Sequence, residues 1–106
     1  MSTKKPGSKT LSARNATKMA QINVTVTGVS RSAVLTWDGK LVPMTNNSTA
    51  SFPTPAGFHI YAIVVAGSPG DAWTAKVTDG TTTQNHSGHM SPGGFDTTGD
   101  TGFQAA

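Results

Sequence analysis

Two closely spaced histidines are the side chains of this sequence best suited to hold a metal ion. His86 and His89 stand in the run Asn-His-Ser-Gly-His-Met, and His59 or an aspartate near the C-terminus could add a third ligand. A zinc ion needs three or four convergent ligands, and the metalloprotease helix has a glutamate between histidines four positions apart. The chain has no glutamate and spaces these histidines three apart. We therefore interpret them as loop residues with local hydrogen bonds, with a surface metal site as the alternative.

A second group of polar residues near the C-terminus could assemble a hydrolytic or calcium site. The nucleophile elbow of a hydrolase has a glycine two residues before and two residues after its serine, and around Ser91 only the second is present. Ser91, His86 and Asp96 could still meet in space as a triad. Asp96 and Asp100 offer oxygen ligands, but the EF-hand pattern is missing. We interpret these residues as turns, predict no cofactor and no enzyme, and keep a metal-dependent hydrolase as the least favoured alternative.

Large aromatic side chains are a third group with binding potential, because an exposed ring can stack on a sugar or a base. Trp37 ends one stretch of alternating apolar and polar residues, and Trp73 begins another. A small sandwich needs large side chains to fill the space between its sheets, so we interpret the aromatic residues as core. If Trp37 or Trp73 is exposed, it becomes the candidate platform for a ligand such as a carbohydrate.

Positive charge is concentrated at the N-terminus. The first 20 residues hold five cationic side chains and no acidic one, and these are Lys4, Lys5, Lys9, Arg14 and Lys18. From position 21 onward three cationic residues face five aspartates, so +5 and −2 give the net charge of +3. The first segment has little apolar surface to offset the entropy lost on ordering. We predict a flexible basic arm over 1–20 that suits a polyanion or serves as a solubilising linker, and one domain over 21–106.

Composition limits the class of protein further. A chain of 106 residues has room for one domain, and the absence of cysteine excludes disulfides and thiolate chemistry. No apolar run reaches the roughly 20 residues of a transmembrane helix. The N-terminus lacks the apolar stretch of a secretory signal. The localisation stays open, and we expect a cytoplasmic protein or one released by another route.

Alternation of apolar and polar residues predicts strands through most of the domain. Ile22, Val24 and Val26 alternate with polar residues, which is the period of a strand with one buried face. The same alternation recurs at 33–37 and at 73–77. Threonine and valine are abundant and favour strands, while few strong helix formers are present. The domain is therefore predicted to be all-β.

Two Asp-Gly pairs predict hairpins. Asp38-Gly39 and Asp79-Gly80 each follow an alternating stretch, and this dipeptide tolerates the positive φ angles of a type I′ turn. The return strand after the first pair is expected over 40–44. Pro43 cannot donate a ladder hydrogen bond, which favours an edge strand there. An edge strand of this kind could pair with another chain.

The most apolar stretch and the tail complete the predicted fold. From Ile60 onward the stretch 58–66 carries apolar side chains on both faces, which favours a central strand. A turn is expected at 53–57 and a loop over the Gly- and Ser-rich segment 85–94. Six or seven short strands with regular turns predict a small immunoglobulin-like β-sandwich, with a small open β-barrel as the alternative.

The stretch 33–67 resembles the PEGA-type bacterial β-domains. The resemblance rests on Trp37-Asp38-Gly39-Lys40, a turn after a strand, and on Pro55-Ala56-Gly57-Phe58-His59, a step into a central strand. It covers about a third of the chain. The resemblance implies an accessory or binding module, and it implies no site residues.

Three hypotheses about function follow from these features. The first is a non-enzymatic binding or assembly module that uses loops or an edge strand, with a protein or carbohydrate ligand, or another copy through the edge. The second is a nucleic-acid-associated or coat-like protein whose basic arm neutralises phosphate. The third is the metal-dependent hydrolase that uses His86 and His89.

Overall fold

A computed structural model describes residues 18–106, and within this range every regular element is a β-strand. The nine strands are β1 (Met19–Thr27), β2 (Ser32–Trp37), β3 (Lys40–Val42), β4 (Thr49–Pro55), β5 (Gly57–Ala66), β6 (Ala72–Thr78), β7 (Thr83–His89), β8 (Phe95–Thr97) and β9 (Thr101–Ala105). The predicted all-β class is confirmed. The strand count is higher than the six or seven expected, because the C-terminal segment contributes more strands than its composition indicated.

The strands form two antiparallel sheets. The four-stranded sheet has the order β4-β1-β6-β7. The five-stranded sheet has the order β3-β2-β5, with β8 and β9 both paired to the far edge of β5. The sheets pack face to face and do not close into a barrel. The β-sandwich is therefore confirmed and the open-barrel alternative is wrong.

The first strand shows why alternation works as a signal. Ile22, Val24 and Val26 are buried, and the polar residues between them face solvent. The strand begins at Met19, two residues before the expected start of the domain, because Met19 is already in register with Pro55 of β4. Residues 1–17, which carry most of the predicted basic arm, lie outside the described range.

The first Asp-Gly turn forms as predicted. Asp38 and Gly39 have φ angles of 52° and 78°, the positive pair that a type I′ turn requires. Strand β3 after it spans three residues and lies at the edge of its sheet. The second pair, Asp79-Gly80, opens a four-residue loop between Thr78 and Thr83, so the hairpin is confirmed but its turn is longer.

Two predicted turn regions are wrong, and both belong to edge strands. Strand β4 continues through Pro53 to Pro55 because it has only one neighbour, so a missing N–H donor costs nothing on the open side. Residues 83–89, placed mostly in the expected loop over 85–94, form strand β7. An edge strand that covers the core only partly does not need large apolar residues, so β7 carries no alternating apolar pattern.

The core lies between the sheets and contains Trp37, Tyr61, Trp73 and Phe103, whereas Phe58 and Phe95 lie outside it and are 65% and 55% exposed. The Trp37 ring stacks on Tyr61 with centroids 5.6 Å apart and planes 11° apart, and Phe103 lies 5.7 Å from Trp37. Phe103 comes from the tail and is fully buried, so β9 is part of the core rather than an extension of it. The same cluster includes Ile22, Leu35, Ile63, Val65, Val77 and Trp73.

Candidate binding surface

The outer face of the five-stranded sheet is apolar, and no part of residues 18–106 covers it. Strand β5 is central in its sheet, as predicted, and its inward side chains from His59 to Val65 are buried. The four-stranded sheet covers one face only, and Phe58, Ile60 and Val64 on the other face are 65%, 46% and 44% exposed.

Register brings apolar side chains of the neighbouring strands next to those of β5. Val34 on β2 lies opposite Val64, and Phe95 on β8 lies opposite Ala66. Leu41 on β3 lies opposite Thr36 and is 69% exposed. We call the resulting surface the apolar face, and its members are Val34, Leu41, Phe58, Ile60, Val64 and Phe95.

No outward position on these strands carries a charge. The residues in the five strands that can carry a charge are Lys40, Asp96 and His59. Lys40 and Asp96 are in register with the inward residues Trp37 and Val65, and His59 is itself inward and buried. The floor of the face consists of small residues. At Gly102 an added Cβ would come within 2.7 Å of the Phe58 ring, so the ring lies against the β9 backbone.

The opposite outer face, on the four-stranded sheet, is polar. Hydroxyl and amide groups pair across the strands: Thr78 with Thr83 at 2.8 Å, and Gln21 through Ser51 to Asn23, each step 2.8 Å. A shallow cleft of about 510 Å³ lies on this face. Its lining side chains include Thr25, Thr27, Thr74, Lys76, Asn85 and Ser87. Among the described residues, this face presents one large exposed apolar side chain, Met19 at the start of β1, whereas the outer face of the five-stranded sheet presents six.

A buried hydrogen-bonded cluster around His59 closes one end of the sandwich. His59 Nδ1 lies 2.6 Å from Asp38 Oδ2, and His59 Nε2 lies 2.6 Å from the Pro55 carbonyl oxygen. Trp37 Nε1 donates to Thr54 Oγ1 at 3.0 Å. Asp38 also accepts from the Ile60 backbone N–H at 3.0 Å. The ring thus meets an acceptor at each nitrogen, which favours the doubly protonated imidazolium.

The pKa values of this pair follow from those contacts. Burial alone would lower the pKa of His59, but the Asp38 carboxylate and the Pro55 carbonyl outweigh burial, so the pKa is raised above 6.5. The hydrogen bond from His59 lowers the pKa of Asp38 below 3.8. Asp38 was predicted as a turn residue only, and its link to His59 was missed because the two lie 21 residues apart.

A second cluster joins the two sheets at the β7 side. The Tyr61 hydroxyl donates to Gln84 Oε1 at 2.6 Å and lies 2.6 Å from His86 Nε2. The Gln84 side-chain amide donates to the Gly102 carbonyl oxygen at 2.9 Å. Burial raises the pKa of Tyr61 to about 12 and lowers the pKa of His86. The neutral His86 ring and the protonated phenol therefore form a structural link near neutral pH.

The proposed metal pair does not converge. His86 faces inward toward Tyr61, and His89 projects from the other face of β7, because residues three apart on a strand point to opposite sides. Among residues 18–106 no three His, Cys, Asp or Glu side chains are grouped to hold a metal ion. The surface metal site at His86 and His89 is therefore wrong for this part of the chain. The loop interpretation is also corrected, since both histidines lie on a strand.

The proposed triad does not assemble either. Asp96 Oδ2 accepts from Trp73 Nε1 at 2.9 Å, and His86 contacts Tyr61. The Ser91 backbone N–H donates to the Phe95 carbonyl oxygen at 2.9 Å, so Ser91 lies in the turn that leads into β8. Each of the three residues bonds to a different part of the fold.

Both tryptophans are core residues. Trp37 is 6% exposed and Trp73 is 3% exposed, and each indole N–H is bonded within the fold. Neither ring presents a face for stacking on a ligand, so the exposed-platform alternative is wrong for both. Of the predicted arm cations, Lys18 is exposed at the start of β1. The other four, Lys4, Lys5, Lys9 and Arg14, lie outside the described residues, and their role stays a prediction.

No family model matches this chain, and neither a curated protein nor a solved structure is similar to it at a significant level. The PEGA resemblance stays a prediction. Between positions 18 and 106 the fold contains no helix with the length and hydropathy to cross a bilayer. The functional proposal below is therefore based on the structure of the chain itself.

Proposed function

We propose that this protein is a non-enzymatic binding and assembly module that acts through the apolar face. The observation that carries the proposal is the cluster of six large apolar side chains on the outer face of one sheet, each between 41% and 69% exposed, with uncharged residues such as Thr36 and Thr97 between them. Contiguous exposed apolar surface of this kind marks interaction sites in folded proteins.

The size of the surface supports this role. At about 150 to 250 Å² for a large side chain, the exposed fractions of the six side chains add up to roughly 600 Å². The largest apolar patch on a typical monomer is about 300 to 600 Å² and is often functional. The apolar face is therefore at the upper end of what a soluble monomer exposes.

The side chains that could act in catalysis are bonded within the fold, which also favours a binding module over an enzyme. His59 contacts Asp38 and Pro55, and His86 contacts Tyr61, at distances of 2.6 Å. Asp96 holds the Trp73 indole. These groups are engaged in hydrogen bonds within the fold. The Thr54 hydroxyl lies 3.4 Å from His59 Nε2, but Thr54 and His59 are 3% and 8% exposed and the hydroxyl already accepts from the Trp37 indole, so it is closed off from solvent.

The apolar face is a better candidate for the interaction surface than the edge strand β3 or the loops. Strand β3 offers only three residues of ladder, and Pro43 follows it directly. A short edge with proline presents little backbone for strand addition. The interaction surface that we propose is therefore a sheet face, and its affinity comes from buried apolar side chains rather than from backbone pairing.

Two isoleucines of β5 give a matched test. Ile60 is 46% exposed on the apolar face, whereas Ile63 is fully buried in the core. At about 1 µM protein, we expect Ile60→Thr to change the free energy of unfolding by less than about 1 kcal/mol. We expect Ile63→Thr to cost about 2 to 4 kcal/mol, because it removes buried methyl groups and buries a hydroxyl.

Binding of the fluorescent apolar probe ANS to the native full-length chain supplies the functional readout. We expect the wild-type protein to bind ANS and Ile60→Thr to reduce that binding. If Ile60→Thr destabilises the fold as much as Ile63→Thr, and native wild-type protein binds no ANS, the face is covered within one chain. That result would refute the proposed function.

A further inference from the structure

We propose that the partner of the apolar face is a second copy of this chain, packed so that the two five-stranded sheets cover each other. The inference rests on the proposed function and names its partner. It is argued from the area of the face, its relief and its lack of charge.

The area is sufficient for a specific dimer. Two copies that bury roughly 600 Å² of apolar side chain each remove roughly 1,200 Å² from solvent, at the lower limit of about 1,200 to 2,000 Å² for specific interfaces. Polar residues at the rim of the sheet add to this value. The apolar faces of the two copies alone therefore bury about as much area as the smallest specific interfaces.

The relief of the face suits a self-complementary contact. Leu41 and Phe58 are the most exposed members, at 69% and 65%. Between them Thr36 and Ala62 lie opposite each other on β2 and β5 and are only partly exposed, which makes a low floor. In a twofold dimer each contact occurs twice, so a projecting side chain of one copy can enter the hollow of the other.

The chemistry of the face favours a second copy over other partners. No outward strand position is charged, and the backbone of β5 is paired on both edges. At the rim of the face, the half-exposed Asp38 carboxylate already bonds to His59 and to the Ile60 N–H, so a charged group of a partner would lose its hydration without gaining a free ion-pair partner. An anionic lipid surface is recognised through basic residues, and this face offers none. A second copy presents the same uncharged surface and pays no such penalty.

Sedimentation velocity of the full-length protein from about 5 to 500 µM tests the dimer, since micromolar association corresponds to modest interfaces. We expect a concentration-dependent monomer–dimer equilibrium. Ile60→Lys places an ammonium in the middle of the interface in both copies, and we expect it to weaken association by roughly 100-fold or more. Thr25→Lys adds the same charge to the polar outer face and should leave association unchanged.

Single-cysteine labelling locates the interface, because the chain has no cysteine of its own. Pyrene attached to Ala62→Cys should give excimer emission in the dimer, which requires two labels in contact. The same label on Thr25→Cys should give none, because three sheet spacings of about 10 Å each separate the two outer faces.

The outcomes separate the dimer from the proposed function. A dimer that Ile60→Lys dissociates, with excimer emission at position 62 and not at 25, supports the inference. A dimer that survives Ile60→Lys overturns it. The protein could also stay monomeric while its apolar face binds ANS, or binds phosphatidylcholine vesicles through Ile60. Either result overturns the proposal that the partner is a second copy, but leaves the proposed function standing. A monomer that binds no ANS overturns both.

Discussion

Replacement of Asp38 by asparagine tests whether His59 is held as an imidazolium in the native state. Asparagine tolerates the positive φ of 52° at this turn position, and its amide oxygen can still accept from the Ile60 N–H. The change therefore removes the negative charge beside His59 while it keeps the turn. The variant isolates the charge-assisted hydrogen bond from the backbone geometry.

The expected loss of stability depends on the charge of the hydrogen bond and on how exposed Asp38 is. A hydrogen bond to a charged group contributes about 1.5 to 3 kcal/mol, but the Asp38 side chain is 47% exposed, and solvent screens the interaction. We expect Asp38→Asn to lower the free energy of unfolding by roughly 1 kcal/mol at pH 5.5. At that pH the wild-type His59 ring donates from both nitrogens.

The effect should disappear at higher pH. The pKa of His59 is raised above 6.5, so its stabilising contribution is fully present below pH 6.5 and is lost as the pH rises through the native pKa. The pKa of Asp38 is lowered below 3.8, so its contribution is present above pH 3.8 and is lost as the pH falls through the native value. In the variant at pH 8, the asparagine amide can donate to the neutral ring, and the two proteins should have nearly equal stability.

Urea denaturation followed by tryptophan fluorescence at pH 5.5 and pH 8 measures the difference. Burial lowers the pKa of His86, which gives a pH dependence of opposite sign, but that contribution is common to both proteins and cancels in the comparison. An equal loss of stability at both pH values would refute the reasoning. So would an NMR titration that places the pKa of His59 at or below 6.5.

Two other substitutions test single contacts. Tyr61→Phe removes the hydroxyl that joins the sheets and leaves His86 without its partner, so we expect a loss of about 1 to 2 kcal/mol in the free energy of unfolding; an unchanged urea midpoint would contradict this. Gly88→Ala places a methyl group against the Asp96 carboxylate and should break its hydrogen bond with Trp73, at a cost of about 1 to 2 kcal/mol. The indole N–H resonance of Trp73 should shift, and an unshifted resonance would show that the bond survives.

Alternation predicted the strands that carry a buried apolar face. The side chains at 22–26, 33–37 and 73–77 are buried in the expected phase, because a strand with one covered face needs an apolar residue at every second position. Asp38-Gly39 predicted its turn because few other dipeptides accept two positive φ angles. Strand β7 had no such signal, since an edge strand can fold with polar residues on both faces.

The candidate surface was visible in the sequence only in part. The two-sided apolar pattern of 58–66 predicts the central position of β5, but it does not show whether the outer face of the sheet is covered. Whether a second layer covers the outer face depends on the number and order of the remaining strands, which local pattern does not determine. The His59–Asp38 contact was missed for a related reason, because it depends on the register between β2 and β5.

Methyl NMR of the isoleucine, leucine and valine side chains at increasing protein concentration tests the central claim most directly. The outward methyl groups of Val34, Leu41, Ile60 and Val64 should shift between about 10 and 500 µM, the range in which modest interfaces form. The resonances of the buried Ile63 methyl groups on the same strand should not shift. Shifts spread over the core or over the polar outer face, or no shifts at the outward methyl groups, would contradict the account.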